Sequence, residues 1–226
     1  MKTMKYIITI LALSFSIHAY ASDPAVESAY AKWVEFFDEH LWVVRKYEPD
    51  LYSKILDGVR VDLEKRSSRQ VLLWNVLRKQ DMLKYKYIVY APLNVLDEFH
   101  SKEMAKMGYL ISNKKLECIK LFSEFPENVN VLKLIPKELF DTRQLLEKAI
   151  LAHRSGYQPE AWQSQGEEEY INVVAAMKEK YGAEFDEMIN KPTTMRSCEL
   201  LHQMDTNVSK LPDDIREKVL RYLYAP

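Results

Sequence analysis

The chain has 226 residues, 47% hydrophobic and 29% charged, with only five glycines and a formal net charge of −1. That length supports one sizeable core or two small ones. The balanced charge supplies no electrostatic reason to bind nucleic acid, and so few glycines leave little material for a phosphate-cradling loop.

The first five residues carry Lys2 and Lys5, an apolar run follows from Tyr6 to Ile17, and the small-residue tripeptide Ala19-Tyr20-Ala21 comes next. Basic, then apolar, then small is the order of a secretory signal peptide. The apolar run is about a dozen residues where a stable membrane span needs about 20, which points to cleavage after Ala21 rather than anchoring. Residues 1–21 are accordingly read as a leader, and 22–226 as a single all-helical domain exported to the periplasm or beyond. Removing Lys2 and Lys5 leaves 30 basic against 33 acidic residues, a net charge of −3. No cysteine follows the cleavage point, which argues against a lipid anchor, and no later stretch reaches membrane-spanning length.

Prolines at 24, 49, 92, 126, 136, 159, 192 and 212 divide the rest into segments of helical length. Proline opens helices and is excluded from their interiors, so the spacing predicts successive helices. The first is expected over Pro24 to Tyr47, capped by Asp23, with Val26, Tyr30, Trp33, Phe37, Leu41 and Val44 forming one apolar face. A second carries Leu51, Ile55, Val59 and Leu63 and ends at the polar break Lys65 to Ser68. Ser68 caps a third with Val71, Leu72, Val76 and Leu83. Its alternating continuation, Lys84 to Tyr90, is read as helix because a lone strand would leave its backbone unpaired. A two-stranded ribbon with Val129 to Leu134 is the alternative.

From Pro92, the residues Leu93, Leu96, Phe99, Met104, Met107 and Leu110 predict another amphipathic helix, and Leu116, Ile119 and Phe122 a shorter one holding Cys118. Pro136 opens a helix with Leu139, Phe140, Leu146 and Ile150 that Gly156 ends by a left-handed cap. Tyr157 to Gly166, including Trp162, is read as a surface loop or hinge. Tyr170 to Tyr181 follows, closed by Gly182, then a short helix through Phe185 and Ile189. Thr194 to Leu211 and a final helix opened by Pro212 complete the chain, the last with Asp213 and Asp214 at its positive end and Glu217 and Arg221 as an i,i+4 pair. The fold class is therefore all-α, an orthogonal bundle of about eight to ten helices.

Cys118 and Cys198 both lie in the exported part, where thiols are oxidised, so a disulfide between them is expected. It would join helices on either side of the Tyr157 to Gly166 loop. Glu199-Leu200-Leu201-His202 has the Glu-x-x-His spacing of helical di-iron sites, and Asp97-Glu98-Phe99-His100 offers an acid three before a second histidine. A complete site needs two Glu-x-x-His pairs and two further carboxylates, so the reading is no metal and no other cofactor. His40 and His153 are read as surface or helix-end residues. Nucleophile elbows, zinc-protease motifs, Cys-x-x-Cys and nucleotide loops are missing from the sequence, and no catalytic residue is assigned. The tryptophans and tyrosines suit packing or a protein-binding surface, where such rings are enriched.

Export, size and the cysteine pair lead to an expected function: a periplasmic protein-binding module, with an immunity-type inhibitor of an envelope-directed toxin as its concrete form. The expected partner is a protein in the envelope, with no nucleic acid and no membrane span after cleavage. A helical enzyme acting through Glu199, His202, Asp97 and His100, or a small-molecule carrier, is the alternative.

Overall fold

A computed structural model of the chain describes residues 23–113, 118, 134–157, 163–190 and 194–225. Among these residues the fold is all-helical, with eleven helices and no strand. The leader, the candidate helix around Leu116 to Phe122, the segment 129–133 and Trp162 lie outside the described residues.

The local signals act much as expected at most boundaries. Helix α1 (Pro24–His40) starts on Asp23, whose carboxylate accepts from the Ala25 amide at 2.9 Å. The chain bends at Leu41, which has φ −112°, and resumes as α2 (Trp42–Tyr47). The expected continuous helix to Tyr47 is thus two. Apolar residues lie on both sides of the bend, so the stripe runs through it, but only after the bend do Val43, Val44 and Tyr47 all turn inward.

Helix α3 (Pro49–Glu64) ends where Arg66 takes a left-handed φ of 55° and Ser67 donates back to the Asp62 carbonyl at 2.9 Å. Ser68 then caps α4 (Arg69–Ile88), accepting from the Val71 amide at 3.3 Å. The Lys84 to Tyr90 stretch continues that helix to Ile88 and then turns, so no ribbon forms from it.

Helix α5 (Leu93–Ser112) buries seven residues between Val95 and Leu110. After it, the helix expected from Pro136 is interrupted: α6 (Lys137–Phe140) stops at Asp141, and α7 (Arg143–Arg154) begins two residues later. Asp141 explains the break, since its carboxylate accepts from the Arg143 amide at 3.2 Å and from the Arg143 guanidinium at 2.6 and 2.8 Å. A short acidic side chain that bonds its own backbone favours a cap over a helix interior. These two interruptions raise the number of helices above the expected eight to ten. Gly156, at φ 81°, ends α7 by the expected left-handed turn, with Tyr157 donating to the Ala152 carbonyl at 3.1 Å.

Helix α8 (Gln163–Tyr181) takes in Gly166, which the sequence had assigned to the loop. Gly166 is buried, and a methyl group in place of its hydrogen would stand 2.1 Å from the Lys218 carbonyl oxygen. This glycine serves contact between helices rather than a turn. Next come α9 (Ala183–Asn190), α10 (Met195–Ser209), capped by Thr194 through the Ser197 amide at 3.2 Å, and α11 (Asp213–Leu223). Helices α8 and α11 share the most extensive contact among the described elements.

A continuous apolar core runs from Phe37 of α1 to Val219 and Leu220 of α11. A smaller cluster joins Leu110, Ile135, Cys118 and Cys198, whose sulfurs stand at disulfide distance with Cα atoms 6.1 Å apart. None of the described helices is long and apolar enough to cross a membrane.

Candidate functional site

Two groups of side chains go beyond ordinary core packing. One is a row of aromatic rings on α1. Positions 33, 36, 37 and 40 fall on adjacent faces of a helix, and the core covers only part of the arc they span. Phe37 is buried; Trp33 stacks on it at 5.3 Å and meets Phe36 edge-on at 5.8 Å. Phe36, 38% exposed, stacks on the His40 ring at 4.0 Å. His40 is held by its own helix, its Nδ1 lying 2.8 Å from the Phe36 carbonyl. The Arg69 guanidinium, at the start of α4, lies 5.9 Å from the Trp33 ring. The rings therefore fix one another in place on a surface that water reaches.

The second group lies where α5, α10 and α11 meet. His100 interrupts the apolar stripe of α5 four residues after Leu96, and Glu103 and Lys106 follow at steps of three, so all three return toward the same side of the helix. His100 is 3% exposed. Its Nε2 lies 3.2 Å from the main-chain oxygen of Asp205, and its Nδ1 lies 2.7 Å from the Tyr224 hydroxyl. A carbonyl can only accept, so Nε2 carries the proton, and Nδ1 accepts from Tyr224. Burial lowers the His100 pKa below its ordinary value, opposed in part by the Asp205 carbonyl and by Asp97 and Glu103, so the ring is neutral at physiological pH.

The neighbouring carboxyls behave differently from each other. Burial alone would raise Glu103, but Lys84 and Lys106 more than offset it and hold it ionised, with Lys106 Nζ at 2.7 Å and Lys84 Nζ at 3.8 Å. Both lysines are themselves nearly buried. Asp205, on α10, has Glu103 as its charged neighbour and is half-buried, and burial followed by that like charge pushes it up to about 7. The Tyr224 hydroxyl, enclosed by the same helices and facing Glu103 and Asp205, is raised well above its ordinary value.

Directional bonds fix this junction in place. Arg216 of α11 makes a two-pronged pair with Asp97 of α5 at 2.8 and 3.0 Å. Arg221, 2% exposed, donates to the carbonyls of Val89 and Ala91 at the α4–α5 turn and pairs with Glu217. The expected i,i+4 pair therefore forms, but inside the fold. Two turns further along α5 a methyl group added to Gly108 would stand 3.2 Å from the His202 Nε2, which marks how closely α10 packs there.

The two acid-x-x-His motifs do not converge. Asp97 faces Arg216, Glu199 pairs with Arg196 at 3.1 Å, and His100 uses both ring nitrogens. Among the described residues no group of three or more His, Cys, Asp or Glu side chains is placed to hold a metal ion. His153 is exposed at the end of α7 and meets the rings of Tyr87 and Tyr90 at 5.3 and 4.6 Å. The sequence reading missed Glu103, Asp205, Lys84 and Lys106. Their signal was available as ionisable residues standing at apolar-stripe positions, Asp205 lying four residues after Leu201 and three before Val208.

No family model, no curated protein and no solved structure matches the chain.

Proposed function

We propose that the chain is an exported protein-binding module of the cell envelope, a single orthogonal helical bundle whose concrete role is that of an immunity-type inhibitor. The observation that carries this reading is the set of mutually stacked rings on α1, with Phe36 left open to solvent. Aromatic side chains already held by their neighbours lose little freedom on binding, and rings of this kind dominate the energy of protein interfaces. The leader-like first 21 residues and the cysteine pair support an oxidising location.

The test is capture of a partner from a periplasmic extract with the full chain and with Phe36→Asp, using Ile171→Asp, an exposed change on α8, as control. Recovery of a stoichiometric protein by the native chain and the control, with at least a tenfold loss for Phe36→Asp, supports the reading. Equal recovery by Phe36→Asp removes the α1 surface from it, and recovery of nothing by the native chain overturns it. Mature protein that begins elsewhere than near Ser22, or that stays in the cytoplasm, overturns the exported part.

A further inference from the structure

We propose that the cleft between α3 and α4 above Gly58 binds a small zwitterion of the apolar amino acid class: Lys79 takes its carboxylate, Asp62 its ammonium group, and the valines between them its side chain. This site is separate from the α1 rings and does not depend on the protein-binding reading.

Helices α3 and α4 pack side by side in opposite directions, with Asp62 opposite Asn75 and Gly58 opposite Lys79. Between them lies a cleft of about 450 Å3, within the range that holds one small organic molecule. Val59 and Val76 supply a buried apolar floor, and Val61, 43% exposed, an apolar rim. Gly58 keeps that floor low. It sits in the interior of α3, where glycine weakens a helix, and no left-handed φ calls for it there. A methyl group at this position would stand 3.2 Å from the Lys79 Nζ, so the missing side chain is what lets the ammonium group reach across the seam.

The charges in the cleft are divided between its two ends. Lys79 is half-buried and folds back over α3, where its Nζ donates to the main-chain oxygen of Lys54 at 3.2 Å. That oxygen is already the helical acceptor of the Gly58 amide, so the ammonium group meets a shared, neutral partner with one of its three donors. One turn along the seam, Asp62 accepts from the Asn75 amide at 2.8 Å, again a neutral partner. Four residues separate the two positions on each helix, about 6 Å of rise. The cleft therefore presents a positive and a negative group at opposite ends of an apolar floor, each without a charged partner among the described residues. A simple anion or cation would suit one end and be repelled at the other, whereas a zwitterion suits both. An α-amino acid carries its ammonium and carboxylate on adjacent carbons, so each can turn to one end while an apolar side chain lies on Val59 and Val76.

Titration of the full chain with L-leucine, followed by the methyl resonances of Val59, Val61 and Val76, tests this. Leucine should shift them saturably with a Kd of about 1 mM or tighter. Isocaproate, which lacks the ammonium group, and isoamylamine, which lacks the carboxylate, should each bind at least fivefold more weakly, and glycine should not bind measurably. Lys79→Met should weaken leucine at least tenfold and isoamylamine not at all; Asp62→Asn should weaken leucine at least fivefold and isocaproate not at all. Gly58→Leu fills the cleft against a flexible side-chain end, so it should abolish binding with the thermal midpoint unchanged or raised. Phe36→Asp should leave leucine binding unchanged, which separates this site from the α1 surface. Absence of saturable shifts with leucine, equal affinity for leucine and its two one-charge analogues, or binding that survives Gly58→Leu overturns the proposal. Self-association or capture of an envelope protein that Gly58→Leu abolishes and leucine does not compete gives the cleft to a polypeptide, and likewise overturns it.

Discussion

Helices α1 and α11 pack on the same core and differ in how deeply the bonds that attach them are buried. Only Phe37 of α1 is fully buried, and the helix is held to the body by rings and by polar bonds near the surface: Trp33 stacks on Phe37, Glu27 pairs with Arg60, Asp38 accepts from the Tyr52 hydroxyl at 2.6 Å, and the Glu39 carbonyl accepts from Arg143 at 2.9 Å. Helix α11 buries Val219 and Leu220 and adds the directional bonds of Arg216, Arg221 and Tyr224. An ion pair that water reaches contributes little, whereas a buried guanidinium aimed at two carbonyls is costly to displace. The difference therefore lies in where the directional bonds sit, enclosed at α11 and at the surface at α1, where Phe36 is also left open to an outside surface.

Substitutions should break this contrast in a graded way. Arg221→Ala has the largest expected effect, a loss of about 4 kcal/mol in denaturant unfolding, because the Val89 and Ala91 carbonyls and Glu217 are left unpaired in a dry site. Gly166→Ala comes next at about 2 kcal/mol, since α8 and α11 must separate to admit the methyl group. Tyr224→Phe removes one hydrogen bond to His100 and should cost about 1 kcal/mol. At the other end, Phe36→Ala should change stability by less than about 0.5 kcal/mol, because little area is newly exposed, and its effect belongs to partner binding. If Phe36→Ala proved as damaging as Gly166→Ala in the same assay, the contrast between the two helices would collapse.

Acidification sharpens the comparison further. Neutral His100 contributes fully above its ordinary pKa of 6.5, and that contribution is lost as the pH falls through the lowered folded value. A stability profile from pH 7 to 4 should therefore show an acid limb that His100→Gln reduces and Phe36→Ala leaves untouched.

Much of the helical plan was legible because short-range chemistry sets it. Asp23, Ser68, Thr194 and Gly156 each cap or stop a helix with their own atoms or their own φ, and such effects need no knowledge of distant residues. The breaks at Leu41 and Asp141 were not legible from apolar periodicity, because buried positions continue on both sides and the stripe conceals the bend. Gly166 was misassigned for a related reason. A glycine before a helix suggests a turn, and only the approach of Lys218, 52 residues later, shows that its missing side chain makes room for a backbone.

The candidate sites divide along the same line. The α1 rings could be seen as aromatics in a helical pattern, but which of them the core would leave open depends on α3 and α4. His100 entered the sequence reading as a metal ligand candidate, whereas its partners, Asp205 and Tyr224, lie more than 100 residues away. Arg221 was assigned its partner Glu217 but not its surroundings. A guanidinium is read as solvated unless the carbonyls that receive it are known, and those belong to the turn between α4 and α5.

The Cys118 to Cys198 link, between residues 80 positions apart, encloses helices α6, α7, α8 and α9 within a covalent ring. A single peptide-bond scission inside that ring opens it without releasing either piece, so a nicked molecule keeps α8 tethered beside α11. Detachment of a fragment requires a second event, either another cut or a reductant, and a protease in an oxidising compartment supplies only the first.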